Sequence, residues 1–218
     1  MLETNIDERF DVVDGYGVSL AEAKVFGDSR GSFAEVLVGD ETVGLKQINR
    51  SKSVSMTVRG CHAQRGEWCQ AKLVEAVNRP IYDIITDARP DSKTFGTTHA
   101  YLLDPLKQNK VYVPKGFLHA FAVPESDVKE EAVFMYYCDN VFNKQSEICV
   151  SPMTLIPTAV KLMKESGAGE EYEPLFKMFE DTSKLVLSEK DLQGQDYEAW
   201  MSLIQDEWRL ASKCWYKA

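Results

Sequence analysis

Lys72-Leu-Val-Glu-Ala-Val77, then Asn78-Arg79-Pro80, then Ile81-Tyr-Asp-Ile-Ile-Thr-Asp87 is the stretch on which the reading of the fold turns. Both arms are rich in β-branched and aromatic residues, and the triplet between them breaks the run, because proline has no N–H to give to a strand ladder. Working outward, strand-like segments recur at residues 43–49 and 53–59, Lys110–Val113, Leu118–Val123 and Ala132–Cys138, punctuated by Pro90-Asp91, Pro114-Lys115-Gly116 and Pro124. Upstream, Gly27, Asp28, Ser29 and Gly31 supply turn chemistry before an alternating segment, and a second turn follows at Gly39-Asp40-Glu41. Residues 1–24 are a polar lead-in with one organised element, Gly17-Val-Ser-Leu-Ala-Glu-Ala-Lys24. Many short strands with regular turns predict a mainly β protein, a jelly-roll barrel.

The pattern changes near Ser151. Met153–Lys164, Glu171–Phe179 and Asp196–Lys213 carry helix formers with apolar spacing, and Trp200, Ile204, Trp208, Ala211 and Trp215 form a stripe at helical intervals. The stripe reads as a helix face packed on the barrel. The expected organisation is a jelly-roll domain over 1–150 and a helical extension over 151–218.

A chain of 218 residues can hold one substantial core with an appendage. Its net charge of −9 argues against non-specific nucleic-acid binding, which needs a basic face. No apolar run approaches the roughly 20 residues of a membrane span, and the acidic start Met1-Leu-Glu-Thr-Asn-Ile-Asp-Glu-Arg-Phe10 lacks the apolar core of a signal peptide. Five cysteines without C-x-x-C spacing signal neither a disulfide framework nor a zinc knuckle, so a reducing cytoplasm is expected. A small anionic ligand remains compatible with the charge, because Arg30, Arg59, Lys72 and Lys115 stand within segments that read as structured.

Two of the three histidines sit in informative contexts. Pro114-x-Gly116-x-x-His119 resembles the second motif of cupin barrels, in which the histidine points inward and often binds metal. The cupin metal site also needs an H-x-H pair on an earlier strand, and the corresponding stretch here is His62-Ala63-Gln64. One imidazole stands where two are required and a catalytic metal normally takes about three protein ligands, so the reading is of no metal, with His62 as an acid/base group.

Asp28-Ser-Arg-Gly-Ser-Phe-Ala-Glu35, Gln47-Ile-Asn49-Arg-Ser-Lys-Ser53, Arg59-Gly-Cys-His62-Ala-Gln64, Gln70-Ala-Lys72, Asp83-Ile-Ile-Thr-Asp87-Ala-Arg89-Pro-Asp-Ser92-Lys-Thr-Phe-Gly96, Val113-Pro-Lys-Gly-Phe-Leu-His119, Phe134-Met-Tyr136 and Leu187-Ser-Glu-Lys-Asp191 follow one another in order. Together they resemble the dTDP-4-dehydrorhamnose 3,5-epimerase family, cofactor-free cupin enzymes acting on nucleotide-diphospho-4-keto-6-deoxy sugars. The resemblance implies His62 as base with Asp191 orienting it, Lys72 as stabiliser of the enolate oxygen and Tyr136 as acid. It further implies Arg59 and His119 at the pyrophosphate or sugar hydroxyls, Gln47 and Asn49 at the nucleotide, and Phe26, Phe33 and Phe142 as stacking surfaces. Arg30 and Glu35 would reach the site from the exchanged N-terminal arm of a second subunit, making the active unit a homodimer. No cofactor is implied.

Each role has a plainer rival. Ser188-x-x-Asp191 also reads as a helix capping box, Tyr136 and the phenylalanines as core packing, and Lys72 as a solvated edge lysine. The chain departs from the family where Phe142 replaces an aromatic hydroxyl, where Ala120 follows His119, where Asn78-Arg79-Pro80 replaces a turn glycine, and where residues 150–184 form a longer helical insertion. The alternatives left open are a C3-only or C5-only epimerase, a CDP- or GDP-linked substrate, a 3,4-ketoisomerase and a non-catalytic sugar-nucleotide-binding cupin.

Overall fold

The computed structural model describes residues 10–12, 19–22, 25–28, 31–34, 44–211 and 215–217. Its strands are β1 (Phe10–Val12), β2 (Ser19–Glu22), β3 (Val25–Asp28), β4 (Gly31–Ala34), β5 (Gln47–Ser53), β6 (Val58–Gln64), β7 (Lys72–Ala76), β8 (Ile81–Asp87), β9 (Thr98–Leu103), β10 (Asn109–Val113), β11 (Phe117–Ala122), β12 (Ala132–Cys138) and β13 (Glu147–Cys149). One antiparallel sheet runs β1-β2-β10-β7-β12-β5, a second runs β13-β6-β11-β8-β9, and β3 pairs with β4 as a separate ribbon. This is the cupin jelly roll, and helices α1 (Pro152–Glu165), α2 (Glu173–Met178), α3 (Glu189–Leu192) and α4 (Tyr197–Ala211) follow it.

Alternation along each strand sorts side chains to the two faces of its sheet. Val74, Val111, Val113 and Phe134 of the first sheet meet Ile81, Ile85, Phe117 and Phe121 of the second inside the barrel. The other face of the second sheet, with Tyr82, Ile84, Leu118 and Ala120, is covered by Leu155, Ile156, Phe176, Trp200 and Ile204 of the helices. Strand β8 therefore has both faces covered, and all of its positions are buried. That double burial is why Ile81–Asp87 carries apolar residues on both faces, Ile81 and Ile85 on one and Tyr82 and Ile84 on the other. Its two aspartates, Asp83 and Asp87, are on the interior face, opposite Phe121 and Phe117.

β8 and β12 occupy the expected residues, whereas the two strands expected at 43–49 and 53–59 lie four to five residues further on, as β5 and β6. The intervening turn is Val54-Ser-Met-Thr57, which holds no glycine, proline or asparagine to announce it. Met56 takes φ +65°, and tertiary hydrogen bonds hold it there: its N–H donates to Val123 O at 2.9 Å and its carbonyl accepts from Val186 N at 2.9 Å. β9 and β13 were not expected. β13 has only three residues, too short for periodicity, and is ordered by pairing with β6.

The helical stripe also needs correction. Trp200 and Ile204 pack against the sheet, but Trp215 lies in a turn and not on the described helix, Tyr197–Ala211. Trp215 comes back to Trp200 edge-on, with ring centroids 5.7 Å apart, and its Nε1–H donates to Ala88 O at 2.8 Å. No helix among the described residues is long and apolar enough to cross a membrane.

Candidate active site

Strand β6 carries the first determinant. His62 is opposite His119 and Arg59 is opposite Phe121, so three residues of β6 span what two residues of β11 span. The extra residue is a β-bulge, and it lets Arg59 and His62 share the interior face despite their odd spacing. Gly60 makes the bulge possible: its φ is +124°, and a Cβ there would lie 2.5 Å from Ala120 Cβ. The motif Arg-Gly-Cys-His thus encodes a backbone kink that puts Arg59 and His62 on the same face of the sheet.

Register extends the row. His99 on β9 is opposite Ile85 on β8, which is opposite His119 on β11, then His62 on β6 and Cys149 on β13. All three histidines of the chain therefore fall in one line across the second sheet.

His62 Nε2 lies 2.6 Å from Asp191 Oδ1, with the carboxylate 4% exposed and the imidazole 25% exposed. Burial alone would raise the Asp191 carboxyl, but the hydrogen bond and charge of His62, aided by Ser188 and Lys190, outweigh it and hold the group below the ordinary carboxylate value. With Nε2–H donated to this carboxylate, the Nδ1 lone pair is left free to accept a proton. Both readings of Ser188-x-x-Asp191 are present together: Ser188 Oγ accepts from the Asp191 N–H at 3.1 Å, capping α3, while the aspartate side chain reaches His62.

A second imidazole–carboxylate pair lies deeper. His119 Nε2 is 2.6 Å from Asp83 Oδ1, and both are buried. Asp83 Oδ2 has no hydrogen-bond partner among the described residues. The His119 ring meets Tyr136 edge-on at 6.2 Å between centroids, and Tyr136 in turn meets Phe134 at 4.7 Å.

The facing sheet supplies the remaining polar groups in rows. Lys72, Cys138 and Gln47 are aligned across β7, β12 and β5; the next row is Val74, Tyr136 and Asn49. Lys72 opposite buried Val113 and Cys138 faces inward, and β7 is flanked by β10 and β12, so Lys72 is not an edge lysine. Burial lowers its pKa from the ordinary lysine value against the pull of Cys138, Asp83 and Glu147. Burial likewise raises the Tyr136 phenol, only partly offset by Ser51, whose Oγ is 3.4 Å from the phenolic oxygen, and by Arg59. Gln47 Nε2 donates to Asn49 Oδ1 at 2.8 Å, and Arg59 Nε donates to Ser53 Oγ at 3.1 Å.

Thus His62, Asp191, Arg59, His119, Tyr136, Lys72, Gln47 and Asn49 converge on the barrel interior or its rim. Phe142 is at the exposed rim after β12, its N–H donating to Gln47 Oε1 at 2.7 Å. Phe26 and Phe33 are paired positions on β3 and β4. Arg30 and Glu35 lie outside the described residues. Sequence reading did not single out Asp83 as the partner of His119, nor Ser51. Both sit in quoted motif segments, and their positions two residues apart from other inward-facing residues were the available signal. Glu147 and Cys149 beside His62 had no such signal, because β13 is recognisable only through its pairing.

A carboxylate-bonded imidazole, a buried phenol and a desolvated amine facing one cupin barrel are the group types that acid/base proton transfer needs. The dTDP-4-dehydrorhamnose 3,5-epimerase family model matches residues 14–198. The chain belongs to this family, whose members are isomerases. It is 37% identical over 137 residues to the dTDP-4-dehydrorhamnose 3,5-epimerase of Shigella flexneri, covering 60% of this chain and 74% of that one. Among solved structures, the dTDP-4-dehydrorhamnose 3,5-epimerase of Elizabethkingia anophelis superposes with a TM-score of 0.67 at 30% identity, covering 87% of this chain and 96% of the other. The dTDP-6-deoxy-D-glucose-3,5-epimerase of Legionella pneumophila, in complex with dTDP-4-keto-L-rhamnose, gives 0.68 at 25% identity, covering 91% and 95%.

Proposed function

We propose that the chain inverts C3, C5 or both of a dTDP-linked 4-keto-6-deoxy sugar by proton transfer through an enolate, without a cofactor. The observation that carries this reading is the 2.6 Å bond between His62 of the second sheet and Asp191 of α3, with Tyr136 on the facing first sheet. In the reaction, His62 Nδ1 removes the hydrogen next to the ketone and the Asp191 carboxylate stabilises the imidazolium that forms. The electron pair of the broken C–H bond moves onto the ketone oxygen, where the Lys72 ammonium stabilises the enolate. Tyr136 then gives its phenolic proton to the opposite face of the carbon, and its raised pKa keeps that proton available until the enolate forms. Arg59 and His119 hold the pyrophosphate or sugar hydroxyls, and Gln47 and Asn49 the nucleotide.

Phe26, Phe33 and Phe142 serve as stacking surfaces, and Arg30 and Glu35 come from a second copy through the N-terminal arm. Two features support a homodimer: β1 and β2 form the edge of the first sheet, and the outward face of that sheet carries exposed Ile48 beside half-buried Leu73, Tyr112, Met135 and Tyr137. The deciding experiment is solvent deuterium exchange into C3 and C5 of a dTDP-4-keto-6-deoxy sugar. His62→Ala should abolish exchange, whereas Tyr136→Phe should retain exchange and lose inversion. Undiminished exchange in the His62 variant overturns the mechanism.

A further inference from the structure

We propose that His62, Cys149 and Asp191 form a binding site for a thiophilic divalent cation such as Zn²⁺, and that its occupation switches off the acid/base pair. The inhibitory half rests on the role given to His62 above; the binding half does not. Cys149 is the direct cross-strand partner of His62, so thiol and imidazole leave neighbouring strands on the same face. The short helix α3 brings Asp191 to both: its Oδ1 is 2.6 Å from His62 Nε2 and 3.8 Å from Cys149 Sγ. The three candidate ligand atoms all lie within 4.8 Å of one another. A tetrahedral zinc ion, with bonds of about 2.0 to 2.3 Å, separates its ligands by roughly 3.3 to 3.7 Å, so shifts of under about 1 Å convert the present cluster into three corners of that tetrahedron. One nitrogen, one sulfur and one oxygen suit zinc or cadmium and leave the fourth position to water.

A second observation points the same way. Metal-bound histidines usually donate their other ring N–H to a carboxylate that fixes the ring. Glu147 Oε1 stands 4.0 Å from His62 Nδ1, and Lys190 Nζ holds the same carboxylate oxygen at 2.6 Å. A carboxylate able to support a metal-bound imidazole thus stands beside Nδ1 on the side away from Asp191, about 1 Å short of hydrogen-bond distance. When the cation takes Nε2, the ring proton moves to Nδ1 and turns toward Glu147, while the thiol proton passes to solvent. Nδ1 then has no lone pair with which to remove a substrate proton. Among the described residues no other set of three such side chains converges.

The test uses the metal-free full-length enzyme and two readouts. Co²⁺ should produce a sulfur-to-cobalt charge-transfer band in the wild type that Cys149→Ser and Cys149→Ala both lose, and competition with a chromophoric chelator should show at least tenfold weaker Zn²⁺ binding in both variants. Stoichiometric Zn²⁺ should stop solvent deuterium exchange by the wild type, with recovery on adding chelator, while the two variants, active without metal, should tolerate at least tenfold more. A wild type without the band, or variants that keep it, overturns the site. A cobalt band with exchange undiminished by Zn²⁺ overturns the inhibitory role and faults the assignment of His62 as base, not the site. Loss of metal-free exchange in both Cys149 variants would also overturn the inhibitory role, because the thiol would then be part of the reaction.

Discussion

Two imidazole–carboxylate pairs occupy this barrel with the same 2.6 Å separation, yet their settings differ. His119 and Asp83 come from adjacent strands 36 residues apart, and both are sealed in the core. His62 and Asp191 are 129 residues apart, joined across the rim of the sheet by a four-residue helix, with the imidazole a quarter exposed. A base that exchanges protons with a substrate and then with water needs access, whereas a pair that only holds a ring in place does not. The accessibility of the rim pair supports the turnover role proposed for His62, and the burial of the core pair suits a fixed imidazole, although the bonds look alike.

That contrast breaks most visibly at His62. His62→Ala is expected to lower kcat by about 10³-fold, in the range of a lost general base, while unfolding free energy falls by only about 1 to 2 kcal/mol as the Asp191 carboxylate loses its partner. Steady-state kinetics and urea denaturation on the same preparation check both halves, and a stability loss larger than the kinetic one would reverse the assignment. Asp83→Ala should behave the opposite way. It leaves buried His119 without its acceptor and should cost about 3 kcal/mol of stability, with a smaller effect on kcat than on KM. An unchanged melting temperature would contradict it.

Asp87, on the same strand as Asp83, offers a sharper reference for a carboxylate with a structural job. Its two oxygens accept from Arg89, Ser92 and Thr94. Burial would raise its pKa, but those bonds outweigh it and hold the group below the ordinary carboxylate value. A carboxyl depressed by folding adds stability that is present above the unfolded pKa and is lost as pH falls through the folded one. Stability of the wild type should therefore decline as pH drops below 3.8, and Asp87→Asn should show a lower but flatter acid limb, by about 2 kcal/mol at neutral pH. Thermal melts across that range decide the matter. The smallest effect expected is at Lys72. Since burial lowers its pKa from 10.5, the alkaline limb of kcat/KM should fall below that value, and Lys72→Arg, which stays charged, should move the limb upward in a pH–rate profile. A limb that does not move removes Lys72 from the ionisations that matter.

How much of this was legible in the chain varies with the range of the interaction that decides it. β8 and β12 were readable because β-branched and aromatic content and flanking turns are local properties of their own residues. β5 and β6 were displaced because the turn at Met56 is imposed by backbone bonds to Val123 and Val186, not by turn-forming residues. The site residues were legible as motif segments, but the bulge at Gly60 that turns Arg59 and His62 to the same side depends on contact with Ala120 of another strand.

By itself, the sequence determined the β-rich barrel, the change to helices after Ser151 and the inventory of acid/base groups, because composition and periodicity act over a few residues. Only the tertiary structure decided which histidine meets which aspartate, that all three histidines share one row, and that Cys149 stands beside the dyad. The physical reason is register: a shift of one residue in any strand pairing would carry those side chains to the opposite face of the sheet, and register is set by partners distant in the chain.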